Sequence, residues 1–451
     1  MFDFLISAPL YEPEQLAAHL SHDAQEVVRA ALQRLDGRLV VDYHCHLAGT
    51  GRGGTSGCCV HPSAVSPKAY DLPGQLDRAK MRVFMSAFGI SPTQDDEAAA
   101  SRIARLAQVT GALVTEHKQA VGTEDSGLTA PDSQGVRVTQ HIGLTATGTA
   151  GYKCLLLPFA GVYDRDSNLP QPERTVMQVP NEYPQRLAAA RPDIFAAACS
   201  VNPHSLGAVA ELERCHGAGA RVCKWLPNSQ HIHPDDARCD PFYTACSRLG
   251  MAILTHAGDE TSVQLLSTGR VDQSLGNPLL LRRALDAGTK VIVAHFASEG
   301  SARDDDGIER PCWEILLQMM LEPRYEGLLF ADISALTMFK RLHVLKFVLE
   351  HPEVHHRLVF GTDYPVCALG GRIIGTRPLP AALLRDPAAA FSPQLVNLGL
   401  VSHHQAQALD EVFQYNPILF DLVLKLTVRH PQSGQQFPAS LFAMHPDLPI
   451  L

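Results

Sequence analysis

The stretch VVDYHCHLAG, residues 40–49, decides how this chain is read. Its β-branched opening after an apolar lead-in predicts a strand that ends in polar side chains. Side chains two apart on a strand share a face. His44 and His46 are therefore expected to point together into the interior, with Asp42 one step deeper, while Tyr43 and Cys45 face the opposite layer. Two imidazoles converging at a strand end make half of a zinc-type site. Asp42 reads as their support, accepting an imidazole N–H and so fixing the tautomer.

Four further residues stand at or just past the ends of other predicted strands: Lys224 in RVCKWLP, His256 in MAILTHAG, His295 in VIVAHFAS and Asp363 in LVFGTDYP. Candidate ligands gathered from separate strand ends are how a (β/α)₈ barrel builds an active site. Strand candidates recur as RLVVDYH, YKCLLLPFA, DIFAAACSVNP, ARVCKWL, GMAILTHA, TKVIVAHF, GLLFADIS and RLVFGTD. Helix patterns between them include LGAVAELERCHGAG, DPFYTACSRLG, NPLLLRRALDAG and RLHVLKFVLEH. Continuous apolar strands alternating with helices imply parallel βαβ units, covered on both faces. No G-x-G-x-x-G turn follows any strand, which disfavours a doubly wound open sheet. The fold class expected is thus α/β, a (β/α)₈ TIM barrel.

Its organisation reads as an N-terminal helical segment at 1–38, a barrel over 39–430 and a C-terminal tail at 431–451. A long insertion, 49–150, follows the first strand. It opens on GTGRGGTSG, holds a helix pattern in DDEAAASRIARLAQVTGALV, and closes on a Gly-, Ser- and Thr-rich stretch suited to a loop over the site. Near the end, LDEVFQYNPILFDLVLKL reads as a helix packed on the barrel.

The composition suits a sizeable core, with 451 residues and 45% hydrophobic content. A net charge of −9, from 38 basic and 47 acidic residues, and a pI near 6.1 leave no nucleic-acid footprint. Neither a membrane-length apolar run nor a secretory leader is visible, so a cytoplasmic location is expected. The 11 cysteines are scattered, many in apolar segments, as expected of reduced thiols. Cys58–Cys59 reads as an incidental loop pair. With 21 histidines, an H-x-H alone is a weak signal. His231–His233 reads as loop surface or pocket wall, and the doublets His355–His356 and His403–His404 as solvated. What separates His44 and His46 is the apolar strand before them and the other candidates at matching depth.

Lys224 is the most diagnostic residue. An ammonium among imidazoles is electrostatically wrong for a cation site unless its charge changes. Carboxylation of the amine by CO₂ would give an anionic bridging ligand. Otherwise the ammonium pairs with Asp363 or with a substrate carboxylate.

This set resembles the amidohydrolase superfamily, in its amidohydrolase-related branch: D-x-H-x-H after strand one, Lys after strand four, His after strands five and six, Asp after strand eight. The stretches VPNEYPQRLAAARPDIFAAACSVNPHS and KWLPNSQHIHPDD and the closing FGTDYP add to the likeness. The resemblance implies a metal-dependent hydrolase. His44, His46 and Asp363 would hold one divalent metal, zinc being expected, and His256, His295 and carboxylated Lys224 a second. Asp363 would accept a proton from activated water and return it to the leaving group, with His295 the other catalytic candidate. Amides, lactams, lactones or esters would fit. The alternative is a decarboxylase with one metal on His44, His46, His256 and Asp363, with His295 as acid/base and Lys224 or Arg52 anchoring a carboxylate. Trp225, Asn228 and His231 are the residues expected to touch a small-molecule substrate. A homo-oligomer is compatible with the sequence.

Overall fold

Each predicted strand becomes a short buried run. They are β1 (Val40–His46), β2 (Tyr152–Leu157), β3 (Phe195–Ala197), β4 (Val222–Trp225), β5 (Ala252–Thr255), β6 (Lys290–Val293), β7 (Leu329–Asp332) and β8 (Leu358–Val359). The computed structural model describes residues 11–51, 53–54, 56–61, 75, 96–123, 151–264, 271–368 and 394–450. Parallel ladders join β1 to β2 to β3, and β4 through β8 in chain order.

Backbone hydrogen bonds stitch both seams between these two sheets. At one seam Cys199 N donates to Val222 O (2.9 Å) and Lys224 N to Cys199 O (2.7 Å). At the other, Tyr43 N reaches Phe360 O (2.9 Å), Asp363 N reaches His44 O (2.7 Å) and His46 N reaches Tyr364 O (2.9 Å). Eight parallel strands therefore close into the expected barrel. Closure at the second seam is also what brings Asp363 against the two β1 histidines.

Among the described residues, the α-helices of five residues or more are α1 (His22–Gln33), α2 (Asp96–Thr123), α3 (Glu182–Ala190), α4 (Ala208–Gly217), α5 (Asp240–Leu249), α6 (Arg282–Asp286), α7 (Cys312–Leu321), α8 (Leu342–Leu349), α9 (His403–Phe413) and α10 (Pro417–Thr427). One helix follows each of β1 to β7. The first, α2, lies inside the 49–150 segment and buries Ala99, Ile103, Leu106 and Val114 in the same cluster as Tyr152 of β2. Most of the rest of that segment, including Arg52, lies outside the described residues.

The pattern LDEVFQYNPILFDLVLKL divides rather than forming one helix. Pro417 lacks the N–H an interior turn needs, and the Asn416 carboxamide accepts from Ile418 N and Leu419 N (3.1 and 3.0 Å), starting α10 afresh. The terminal segment also packs. Leu448 and Ile450 join an inner cluster with Val41, Tyr43, Leu155, Val222, Leu254 and Phe330, and the Tyr43 hydroxyl donates to Leu448 O (2.8 Å). Among the described residues, no helix is long and apolar enough to cross a membrane.

One expectation at β1 fails. Tyr43 lies in the inner cluster, not the helical layer, and among the described residues Asp42 makes no hydrogen bond to an imidazole ring. The ladder to β2 shifts register between Asp42 and Cys45. Such a bulge places an extra residue on one strand and breaks the simple alternation of faces. Asp42 instead ties the seam, accepting from Thr362 N (2.9 Å), Thr362 Oγ1 (2.6 Å) and the Tyr152 hydroxyl (2.9 Å). The doublets divide too: His355 is buried, with Nε2 on Val348 O at 2.9 Å, whereas His356, His403 and His404 are exposed.

Candidate metal centre and active site

Six side chains from five strand ends meet at the C-terminal mouth. His44 Nε2 lies 3.1 Å from His46 Nε2, 3.3 Å from Lys224 Nζ and 3.5 Å from Asp363 Oδ1. His46 Nε2 stands 3.2 Å from Asp363 Oδ1, and His295 Nε2 3.7 Å from Asp363 Oδ2. The His256 ring is centred 4.7 Å from that of His295 and 6.0 Å from that of His44. Ligand atoms of His44, His46 and Asp363 lie within 4.8 Å of one another, as do those of His44, His256 and His295.

Three of these imidazoles spend Nδ1 on an acceptor behind them. His44 Nδ1 faces Asp332 Oδ2 at 2.7 Å, His256 Nδ1 faces Glu260 Oε2 at 3.2 Å, and His295 Nδ1 faces Ser334 O at 3.0 Å. An acceptor at Nδ1 holds the proton there and leaves the Nε2 lone pair facing the centre. His256 Nε2 is buried and has no partner among the described residues. A buried, unpaired nitrogen is costly unless a further group completes it. Nitrogen donors, three of them backed by an acceptor, together with a carboxylate are the donor set a divalent cation needs, and the residues present fit one.

The electrostatics agree. Burial first, then the Lys224 ammonium, push His44 well below its usual range and His256 down to about 4. Burial and Arg341 do the same to His295. Burial raises the Asp363 carboxyl, but His44 and His46 outweigh it and hold the group below its usual range. Burial lowers Lys224 to about 8 against the pull of Asp332, Asp363 and Glu260. The free amine is the form that reacts with CO₂, so this shift is compatible with carboxylation.

Local backbone strain marks the same places. His295, Phe296 and Ala297 take φ of 55°, 50° and 48°, and Asp363 takes 54°. Left-handed conformations in non-glycine residues persist where the surroundings over-determine them. Here the turn after β6 swings His295 inward, and its amide is held by Asp332 Oδ1 (2.8 Å). Gly361 is needed for close approach: a Cβ there would meet His44 Cβ at 2.7 Å.

A cavity opens over the cluster. Its polar lining includes His46, His256, Glu260, His295, Arg341 and Asp363, and its apolar walls include Leu47, Phe159, Met177, Leu226, Val263 and Met338. None of the three expected substrate contacts lines it. Trp225 alternates with Lys224 on β4 and so faces the helical layer, packing on Phe242 and Tyr243 with Nε1 donating to Val201 O (2.8 Å). The Asn228 side-chain amide serves Gln273 Oε1 at 2.9 Å. His231 sits against Arg174 Nη2, at 2.7 Å from Nε2. Sequence reasoning passed over Asp332, Glu260, Ser334 and Arg341. Asp332 closes an apolar strand just as Asp363 does, and that signal was present in GLLFADIS.

An amidohydrolase family model matches residues 171–389. That span is just under half of the chain. It includes Lys224, His256, His295 and Asp363, while His44 and His46 lie upstream of it. No curated protein matches the chain. Among solved structures it is similar to an uncharacterised TIM-barrel protein from Bordetella bronchiseptica, at 15% identity over 73% of this chain and 88% of that one, with a TM-score of 0.39. A probable 2-pyrone-4,6-dicarboxylic acid hydrolase from Acinetobacter baumannii matches at 12% identity, over 84% and 100%, TM-score 0.37. A 5-carboxyvanillate decarboxylase from Sphingomonas paucimobilis matches at 13%, over 79% and 98%, TM-score 0.37. These neighbours thus include both a hydrolase and a decarboxylase.

Proposed function

We propose that this protein is a metal-dependent hydrolase acting at the carbonyl carbon of an amide, lactam, lactone or ester. The observation that supports it most is the buried, unpartnered Nε2 of His256, which faces the imidazoles and carboxylate of the same mouth. His44, His46, Asp363, His256 and His295 would hold the ion or ions, with Lys224 bridging if carboxylated. A divalent ion there, zinc by preference, supplies acidity, lowering the pKa of a bound water from 15.7 to about 7. Asp363, held ionised by its histidine neighbours, takes a proton from the attacking water at an Oδ atom and returns it to the leaving group. Asp332 and Glu260 keep the rings of His44 and His256 in place, and the apolar walls limit bulk water. Eleven free thiols, ten of them buried, fit a reducing cytoplasmic compartment.

A single-ion carbon–carbon lyase is the second reading. Both ligand triads contain His44, and that crowding favours one ion, with His295 left free as acid/base. Elemental analysis of purified protein, followed by a screen over lactones, N-acyl compounds and aromatic carboxylates, separates the two. About two ions per chain with CO₂-dependent hydrolysis supports the first, and one ion with CO₂ release the second. A metal-free protein hydrolysing none of these substrates would refute both.

A further inference from the structure

Arg341 is buried to about nine-tenths and lines the same cavity as His46, His256, His295 and Asp363. Its guanidinium is not free to wander. Nε donates to Glu299 Oε1 at 2.6 Å, and Nη2 lies 2.5 Å from the same oxygen. Nη1, by contrast, is buried and has no partner among the described residues. Arginine presents its donors in a rigid fork, so fixing one edge on Glu299 also fixes where the other points.

The local charge balance is uneven. Glu299 brings one negative charge and holds two cations, since its other oxygen takes Lys340 Nζ at 2.5 Å. Asp363 is a further carboxylate whose field reaches Arg341, but it is engaged by His44 and His46, so Nη1 stays the unspent donor of a residue that lines the cavity. A buried donor of a charged group without an acceptor costs more than a neutral one. Beside the polar groups, apolar side chains of Phe159, Met177, Val263 and Met338 wall the same cavity.

We infer that Arg341 is a substrate-binding residue whose Nη1 receives a carboxylate on an otherwise apolar substrate. This rests on reading the cavity as the active site, and it narrows the substrate class to acids: a lactone, ester or amide bearing a separate carboxylate, or an aromatic carboxylic acid under the lyase reading. Glu299 is then a positioning residue, because it holds the guanidinium edge-on to the cavity before substrate arrives. Pre-set donors of this kind lose little ordering entropy on binding.

The test is calorimetric titration of the 451-residue chain with benzoate and with its neutral isostere benzamide, as purified and after zinc loading. Wild type should prefer benzoate at least ten-fold. R341Q should lose that preference, while R341K, which keeps the charge but not the fork, should retain part of it. Zinc content and thermal midpoint of each variant are measured alongside. Should R341Q fail to fold, R341K decides, and benzoate affinity equal to wild type in R341K overturns the inference. So does unchanged benzoate binding by folded R341Q, which would place the carboxylate on the ion instead. A wild type that binds neither compound overturns it as well. A wild type that prefers benzoate yet holds no metal would leave Arg341 standing and defeat only the metal reading.

Discussion

The two ends of the barrel are built from the same strands and do opposite things. At the N-terminal end, Val41, Val222, Ala252, Leu448 and Ile450 pack into a small apolar cluster, and the chain's last residues close it. At the C-terminal end, His44, Lys224, His295, Asp332 and Asp363 are almost as buried, yet all are polar. Burying such groups is unfavourable unless each is paired. Here most are paired with one another, four residues turn left-handed, and one imidazole nitrogen is left without a partner among the described residues. The contrast teaches that stability is generated at the floor and consumed at the mouth, as expected where function demands strained, desolvated groups.

Breaking the mouth should abolish chemistry and spare the fold. Asp363→Ala is expected to lower kcat by roughly 10²–10⁴-fold, the range for losing a proton-transfer group. Its thermal midpoint should stay near that of wild type, since the change also removes a buried charge. Full turnover by this variant would end the role given to Asp363. The floor should respond in reverse. Leu448→Ala should destabilise by about 2–5 kcal/mol, the usual loss for a buried leucine, with turnover per folded molecule unchanged. Denaturant unfolding measures the first and a folded-fraction correction the second.

A subtler break sharpens the same contrast. Asp332→Asn keeps shape but weakens the acceptor for His44 Nδ1, and should cut metal affinity about 10–100-fold, as loss of a ligand's hydrogen-bond partner does. Competition with a chelator reads it, and wild-type affinity would show that Asp332 serves only packing. The smallest effect concerns pH. Burial, aided by Lys224, holds His256 at about 4, below its value near 6.5 in the unfolded chain. The unfolded state then binds more protons between those values, so stability of the chelated protein is fully present above pH 6.5 and is lost as pH falls toward 4. Lys224→Met, which removes the neighbouring cation, should shift that window to lower stability loss. An acid-unfolding profile identical to wild type would show that Lys224 does not govern it.

Much of this was legible in the sequence, for identifiable reasons. Eight apolar strand patterns and the residues ending them carry period and position, and the strand-end residues meet because closure is a property of the whole set. Asp332 was equally visible in form but was read only as the end of a strand, since nothing in one residue distinguishes a ligand from its support. Tyr43 and Asp42 were misplaced because a bulge inserts one residue, and no periodicity announces it. Trp225 was misplaced for a simpler reason. Once Lys224 points inward, its neighbour on the strand must point out, and alternation already said so. Arg341 escaped notice because its role comes from Glu299, 42 positions earlier, and only coordinates bring the two together.

The most direct test is a zinc titration of the chelator-treated 451-residue chain, run beside His44→Ala. One or two ions should bind per wild-type chain, and the variant, still folded, should lose at least one of them. Wild type that remains metal-free at saturating zinc, or a folded His44→Ala with undiminished occupancy, would contradict the assignment of this mouth as a metal centre.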